Sequence, residues 1–267
     1  MSEISRVSGG PCASDPCTRR APAEQTEGVT SVVKTPESLA SDIGRMQRES
    51  NMVMATVTSL ADDELRKPTK CAGWTRAHVI AHLALGADGM TNLATWAVTG
   101  RETPAYASRE QRDADIEAAA RRTAAELASD LEQANARLLA AFRALKDGTR
   151  VETLPTLFSG EIHALSLPAR RTTELIVHHD DLDTTWEWHE ADPDAILDAI
   201  EVCVRRLQAH PESPGLRIVA GEGEEWTVGD GAYRIEGYYE DLLPFLARAQ
   251  VEEGLQYEGE LPELPRW

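Results

Sequence analysis

Cysteine is scarce: Cys12, Cys17, Cys71 and Cys203 are the only four, and their spacing fits neither a disulfide framework nor a zinc ribbon. Four isolated thiols fit an intracellular, reducing location. No stretch approaches the roughly 20 apolar residues of a membrane span, and the first residues lack the basic-then-apolar order of a signal peptide. The chain is therefore expected to be soluble and cytoplasmic, with no membrane partner. Positive charge is also short, with 27 Lys plus Arg against 45 Asp plus Glu, a formal charge of -18 and a pI near 4.8. Such a surface repels nucleic acid and anionic membranes. At 267 residues the chain can still bury a sizeable core and is long enough for two domains.

Histidine is limited to seven residues, yet four of them fall in two short runs. In Arg171-Thr172-Thr173-Glu174-Leu175-Ile176-Val177-His178-His179-Asp180-Asp181-Leu182, ionisable groups interrupt an apolar helical pattern that begins near Pro168. Glu174 and His178 are four apart and share a face that also carries Leu182. A carboxylate and an imidazole on a buried face need partners, and a divalent cation satisfies both. A second helix, capped by Thr75 and stopped at Gly100, places His78 and His82 four apart. Two His and one Glu from facing helices make a three-ligand set with one position open, the pattern of catalytic zinc. The candidate ligands are Glu174, His178 and one of His78 or His82; spacing leaves that choice open. A single such histidine is more often a hydrogen-bonded core residue, and the weight here comes from two pairs in separate helices.

Residues 1–34 are rich in Ser, Gly, Pro, Thr and Glu and are expected to be a disordered tail. Thr35 and Pro36 then open a helix with Leu39, Ile43, Met46, Val53, Val57 and Leu60 at helical spacing. After a turn-rich loop at 103–108, Ser108 caps one long predicted helix that runs to Gly148. Residues 149–167 read as an irregular crossover, with His163 given no role. These four helices predict a bundle over residues 35–190 with a metal site between facing helices. From Asp192 the pattern changes to a helix, three short strands at 216–220, 225–228 and 232–236 read as antiparallel, and a last helix over 239–250. Residues 191–267 thus read as a small α+β domain, with the boundary near 187–192. Cys203 falls on a predicted helix as an inert core thiol, and Cys71 in a loop.

Four runs together carry a family resemblance. Gly73-Trp74-Thr75-Arg76-x-His78-Val79-Ile80-Ala81-His82-Leu83-Ala84, Thr103-Pro104-x-Tyr106-x-Ser108, Glu174-x-x-x-His178-His179-x-Asp181-Leu182 and Leu261-Pro262-x-Leu264-Pro265-Arg266-Trp267 resemble the mycothiol-dependent maleylpyruvate isomerases. The resemblance spans roughly residues 36–267 and implies a mainly α fold, a DinB-like four-helix bundle followed by a small α+β domain. It implies zinc on His82, Glu174 and His178, which leaves His78 and His179 as supporting or packing residues. It also implies mycothiol as the thiol cofactor, a small-molecule electrophile as substrate, and a functional arginine at Arg248. The chemistry implied is thiolate addition to a conjugated cis double bond, rotation, and elimination of the trans isomer, as in maleylpyruvate to fumarylpyruvate. Zinc and Arg248 would answer the developing enolate and the carboxylates. Leu167-Pro168-Ala169-Arg170-Arg171-Thr172-Thr173 departs from the tryptophan-containing lead of some isomerases. Mycothiol S-transfer to an electrophile is the alternative, and a zinc-water hydrolase a remoter one.

Overall fold

The computed structural model describes residues 35–157 and 160–265. The predicted tail at 1–34, with Cys12 and Cys17, and the terminal Arg266-Trp267 lie outside the described residues. Among the described residues, no helix is long and apolar enough to cross a membrane.

The fold is mainly helical, as expected. Helix α1 spans Pro36–Ser59 and starts at a capping box between Thr35 and Ser38. Helix α2 spans Arg76–Thr99, with Thr75 as N-cap and Gly100 in the left-handed conformation at its end, φ 74°. Helices α4, Ala124–Ala144, and α5, Leu167–Asp181, complete the bundle, in which α2 packs on α4 and α5 while α1 packs on α5 and α4. The core between them includes Leu39, Ile80, Leu83, Leu127, Leu131, Leu138, Phe142 and Leu175. These residues recur at three and four along each helix, so burying one stripe per helix accounts for the assembly.

Three expectations need correction. The single helix predicted over 108–148 is two: α3, Arg109–Ala119, and α4. Thr123 accepts from the Glu126 backbone while the Glu126 carboxylate accepts from Thr123, so a second helix starts there and α3 can fold back onto α2. The crossover at 149–167 contains a hairpin of β1, Thr153–Thr156, and β2, Gly160–His163. The helical pattern that begins near Pro168 has no Gly or Pro to stop it before Trp186, yet the helix ends at Asp181, because Asp183 is left-handed at φ 52° and Arg76 donates to the carbonyls of Leu182 and Asp183.

Beyond α5, helix α6 spans Pro193–Ala209 and helix α7 Tyr239–Arg248. Strands β3, Leu216–Ala220, β4, Glu225–Val228, β5, Tyr233–Gly237, and β6, Gln256–Tyr257, form a sheet in the order β4-β3-β5-β6. The fourth correction is here: β5 runs parallel to β3, with Ile218 opposite Ile235. Four residues carry the chain from β4 across the end of β3, using Gly229 and Gly231 at positive φ. They pass so close to Gly215 that a Cβ there would lie 1.7 Å from Asp230 Oδ1 and 3.0 Å from Gly231 N. A second core, including Ile200, Val204, Leu216, Ile218, Ile235, Leu243 and Phe245, lies between α6, α7 and the sheet. Helix α5 serves both cores, giving Leu167 and Leu175 to the first and Ile176 and Val177 to the second.

Thr123→Ala removes the cap that starts α4 and should lower the unfolding free energy by about 1 kcal/mol in a urea titration. An unchanged midpoint would contradict a helix start at that residue.

Candidate metal centre

Helix α5 exposes only one stripe. Between Leu167 and Leu182, Arg170, Glu174 and His178 are half-buried, and every other residue is buried. Glu174 and His178 therefore face the same cleft, and His82 of α2 meets them from the opposite wall. His82 Nε2 lies 3.1 Å from Glu174 Oε2 and 3.0 Å from His178 Nε2, and the His178 Nε2 to Glu174 Oε2 distance is 3.4 Å. Zinc bonded to N and O at about 2.0–2.2 Å in a tetrahedron separates its donors by roughly 3.4 Å. The three donor atoms thus sit close to the spacing of one face of that tetrahedron, and these residues fit a zinc ion.

His78 is elsewhere. Its Nδ1 accepts from the Thr75 backbone at 3.2 Å, closing the cap of α2, and its Nε2 lies 3.4 Å from Glu117. His179 points to the other side of α5. It stacks on Trp186 with ring centres 4.3 Å apart, bonds Thr56 Oγ1 at 2.7 Å, and is held down to about pKa 4 by burial.

The surroundings of the triangle are polar and closely arranged. His178 Nδ1 donates to Asp181 Oδ2 at 2.8 Å, and that carboxylate also accepts from Arg248 Nη2 at 2.5 Å and Cys71 Sγ at 3.2 Å. Arg248 Nε adds a contact to Asp181 Oδ1 at 3.2 Å. Burial alone would push the Asp181 carboxyl up, but His178 and Arg248 hold it below the usual carboxylate range. Glu174 behaves likewise: burial raises it, and hydrogen bonds from His178 and His82 hold it well below its ordinary value. For His178 burial favours the neutral form, yet Asp181, Cys71 and Glu174 leave its proton affinity well above that of a free imidazole. His82 goes the other way, to about 4, through burial and the neighbouring His178 charge. Arg112 Nη2 lies 3.0 Å from His82 Nδ1. The Trp74 ring covers His82 with centres 5.5 Å apart.

The family model of the mycothiol maleylpyruvate isomerase N-terminal domain matches residues 46–183. The chain belongs to this family. It is an enzyme of that family, and the matched span carries all three donor residues of the triangle. Two solved structures are similar over its length: the mycothiol-dependent maleylpyruvate isomerase and a mutant of it with one histidine changed to alanine. Each is 22% identical, covers 88% of this chain and 100% of its own, and superposes with a TM-score of 0.75. At that identity the likeness establishes the fold, including the C-terminal unit beyond the family model. No curated protein matches the chain.

Two residues beside the triangle were not singled out by the sequence. Arg112 reaches His82 only because α3 is separate and folds back, which the Thr123-x-x-Glu126 pattern could have signalled. Asp181 was part of a quoted motif, but its partners come from three distant segments, and only the fold brings Cys71 and Arg248 to it. The loop bearing Cys71 docks on the end of α5 through Lys70 Nζ to Asp180 at 2.6 Å and Lys70 N to the Asp181 carbonyl at 3.1 Å. Cys203, fully buried on α6, has its thiol pushed up to about 12 by burial. Iodoacetamide followed by peptide mass mapping should modify the half-buried Cys71 in the folded protein and leave Cys203 untouched. Modification of Cys203 under native conditions would contradict this packing.

Proposed function

We propose that the chain is a zinc enzyme that uses mycothiol to isomerise a cis-enoyl dicarboxylate of the maleylpyruvate type to its trans form. The observation carrying this reading is the triangle of His82 Nε2, Glu174 Oε2 and His178 Nε2, with edges of 3.0 to 3.4 Å. Three protein donors leave a fourth position for an exogenous ligand, as catalytic zinc requires. When bound, zinc supplies the position at which a thiol ionises at neutral pH, and mycothiol supplies the nucleophile for the conjugated double bond.

The chain's own residues prepare this chemistry. Asp181 orients the His178 ring through Nδ1, so that Nε2 faces the cleft. Arg248 braces Asp181 and brings positive charge from α7 to the same pocket. Its position supports the role expected for it, next to where carboxylate and enolate charge must be held. Trp74 shields one side of His82 from water, which strengthens every charge interaction inside. Arg112 lies over the Tyr106 ring, 5.8 Å from its centre, and presents a further cation beside His82. In a chain of net charge -18, these arginines keep the cleft open to a dianion.

His82→Ala and Glu174→Ala should each abolish bound zinc by elemental analysis and mycothiol-dependent turnover, while the far-ultraviolet circular dichroism stays that of the wild type. Zinc retained in both variants would overturn the ligand assignment. Asp181→Asn should weaken zinc binding by about 10- to 100-fold through loss of the His178 orientation. Mass spectrometry of a maleylpyruvate reaction should return mycothiol unchanged; its stoichiometric consumption would make the enzyme an S-transferase.

A further inference from the structure

Arg170, Glu174 and His178 form the half-buried stripe of α5, spaced four and four. Each step of four residues advances the helix by about 6 Å, so Arg170 lies roughly one small-molecule length from the donor triangle. Among the described residues Arg170 has no hydrogen bond or ion pair; its charged neighbours are Arg205 and Glu174. Arg205 of α6 holds Glu201 at 3.3 Å through Nη1, and its buried Nη2 has no partner among the described residues. Two half-buried cations set side by side repel one another, and each has a single carboxylate neighbour, Glu174 for Arg170 and Glu201 for Arg205. The other arginines of this wall are engaged, Arg248 by Asp181 and Arg206 by the Pro265 carbonyl at 3.1 Å. An anion reaching Arg170 from the cleft would therefore meet a guanidinium with donors to spare, and Arg205 next to it offers a second.

We propose that Arg170 and Arg205 form a carboxylate subsite for the end of the substrate remote from its double bond, so that the enzyme selects dicarboxylates over monocarboxylates. The inference rests on the isomerase reading of the same cleft and adds to it the residues that set substrate class. The Arg170 guanidinium is disfavoured by burial and by Arg205, and a bound carboxylate relieves both.

The test compares maleylpyruvate with maleylacetone, in which a methyl group replaces the distal carboxylate. For Arg170→Gln and Arg205→Gln the ratio of kcat/KM for the first over the second should fall about 10- to 100-fold, the loss expected for a charge-assisted pair. Arg217→Gln, which removes the same charge from an exposed pair with Glu225 on the sheet, should leave the ratio as it is. A ratio unchanged in both cleft variants, or lowered equally by Arg217→Gln, would overturn the subsite. If the wild type turns over neither compound, the isomerase reading fails, and calorimetry with the unreactive diacid glutarate decides the subsite separately. Glutarate binding that exceeds butyrate binding and weakens in both cleft variants supports it; equal binding in wild type and variants overturns it.

Discussion

The structure depends on one buried carboxylate. Asp181, fully buried at the end of α5, accepts from His178 of its own helix, from Cys71 of the loop before α2, and from Arg248 of α7. A carboxylate removed from water is stable only when its lone pairs are met by donors, and here the donors belong to three parts of the chain. The same contact joins the bundle to the C-terminal unit and sets the ring of a donor histidine. Stability and the site's geometry are thus coupled at a single residue, and α5, which contributes to both cores, is the element that carries the coupling.

Charge is arranged on two scales. The surface is acidic, which favours solubility and repels anions at a distance. Within the cleft the pattern reverses, because α3, α5 and α7 each bring arginine towards Glu174 or His82. Arg112 contacts His82, Arg248 contacts Asp181, and Arg171 is fully buried on Asn135 Oδ1 at 3.1 Å, with its ionisation lowered to about 10 by burial. On the proposed reading, an anionic substrate is drawn to the cleft and not to the surface. Low dielectric within the cleft makes that local field stronger than the opposing surface charge.

The donor residues were legible because a helix converts spacing into facing. Glu174 and His178, four apart, had to share a face, and the caps at Thr35, Thr75 and Gly100 stood where side-chain chemistry placed them. The choice of His82 over His78 was not in the spacing, and the family resemblance made it. The structure gives His78 its own work: its ring closes the cap of α2. What the sequence hid were features set by contact between distant segments. A continuous stripe from Ile116 to Leu145 masked the break at Thr123, since α3 and α4 both bury one face and the periodicity barely notices the turn. The parallel pairing of β5 depends on a four-residue passage over Gly215, and short alternating strands carry no sign of direction. The hairpin at 153–163 contains Pro155 on β1, which argued against a strand; as one of only two strands in its sheet, β1 has an edge where a missing N–H is tolerated.

The central claim is that the triangle holds a metal on which a thiol binds. Cobalt in place of zinc makes this visible, because a thiolate bound to cobalt gives an intense charge-transfer absorption. Titrating mycothiol into the cobalt-loaded protein should produce that band, saturating at one equivalent, and the band should be absent from His82→Ala and Glu174→Ala protein. Cobalt binding with no band on thiol addition would contradict the account, and so would a band of equal strength in the two variants.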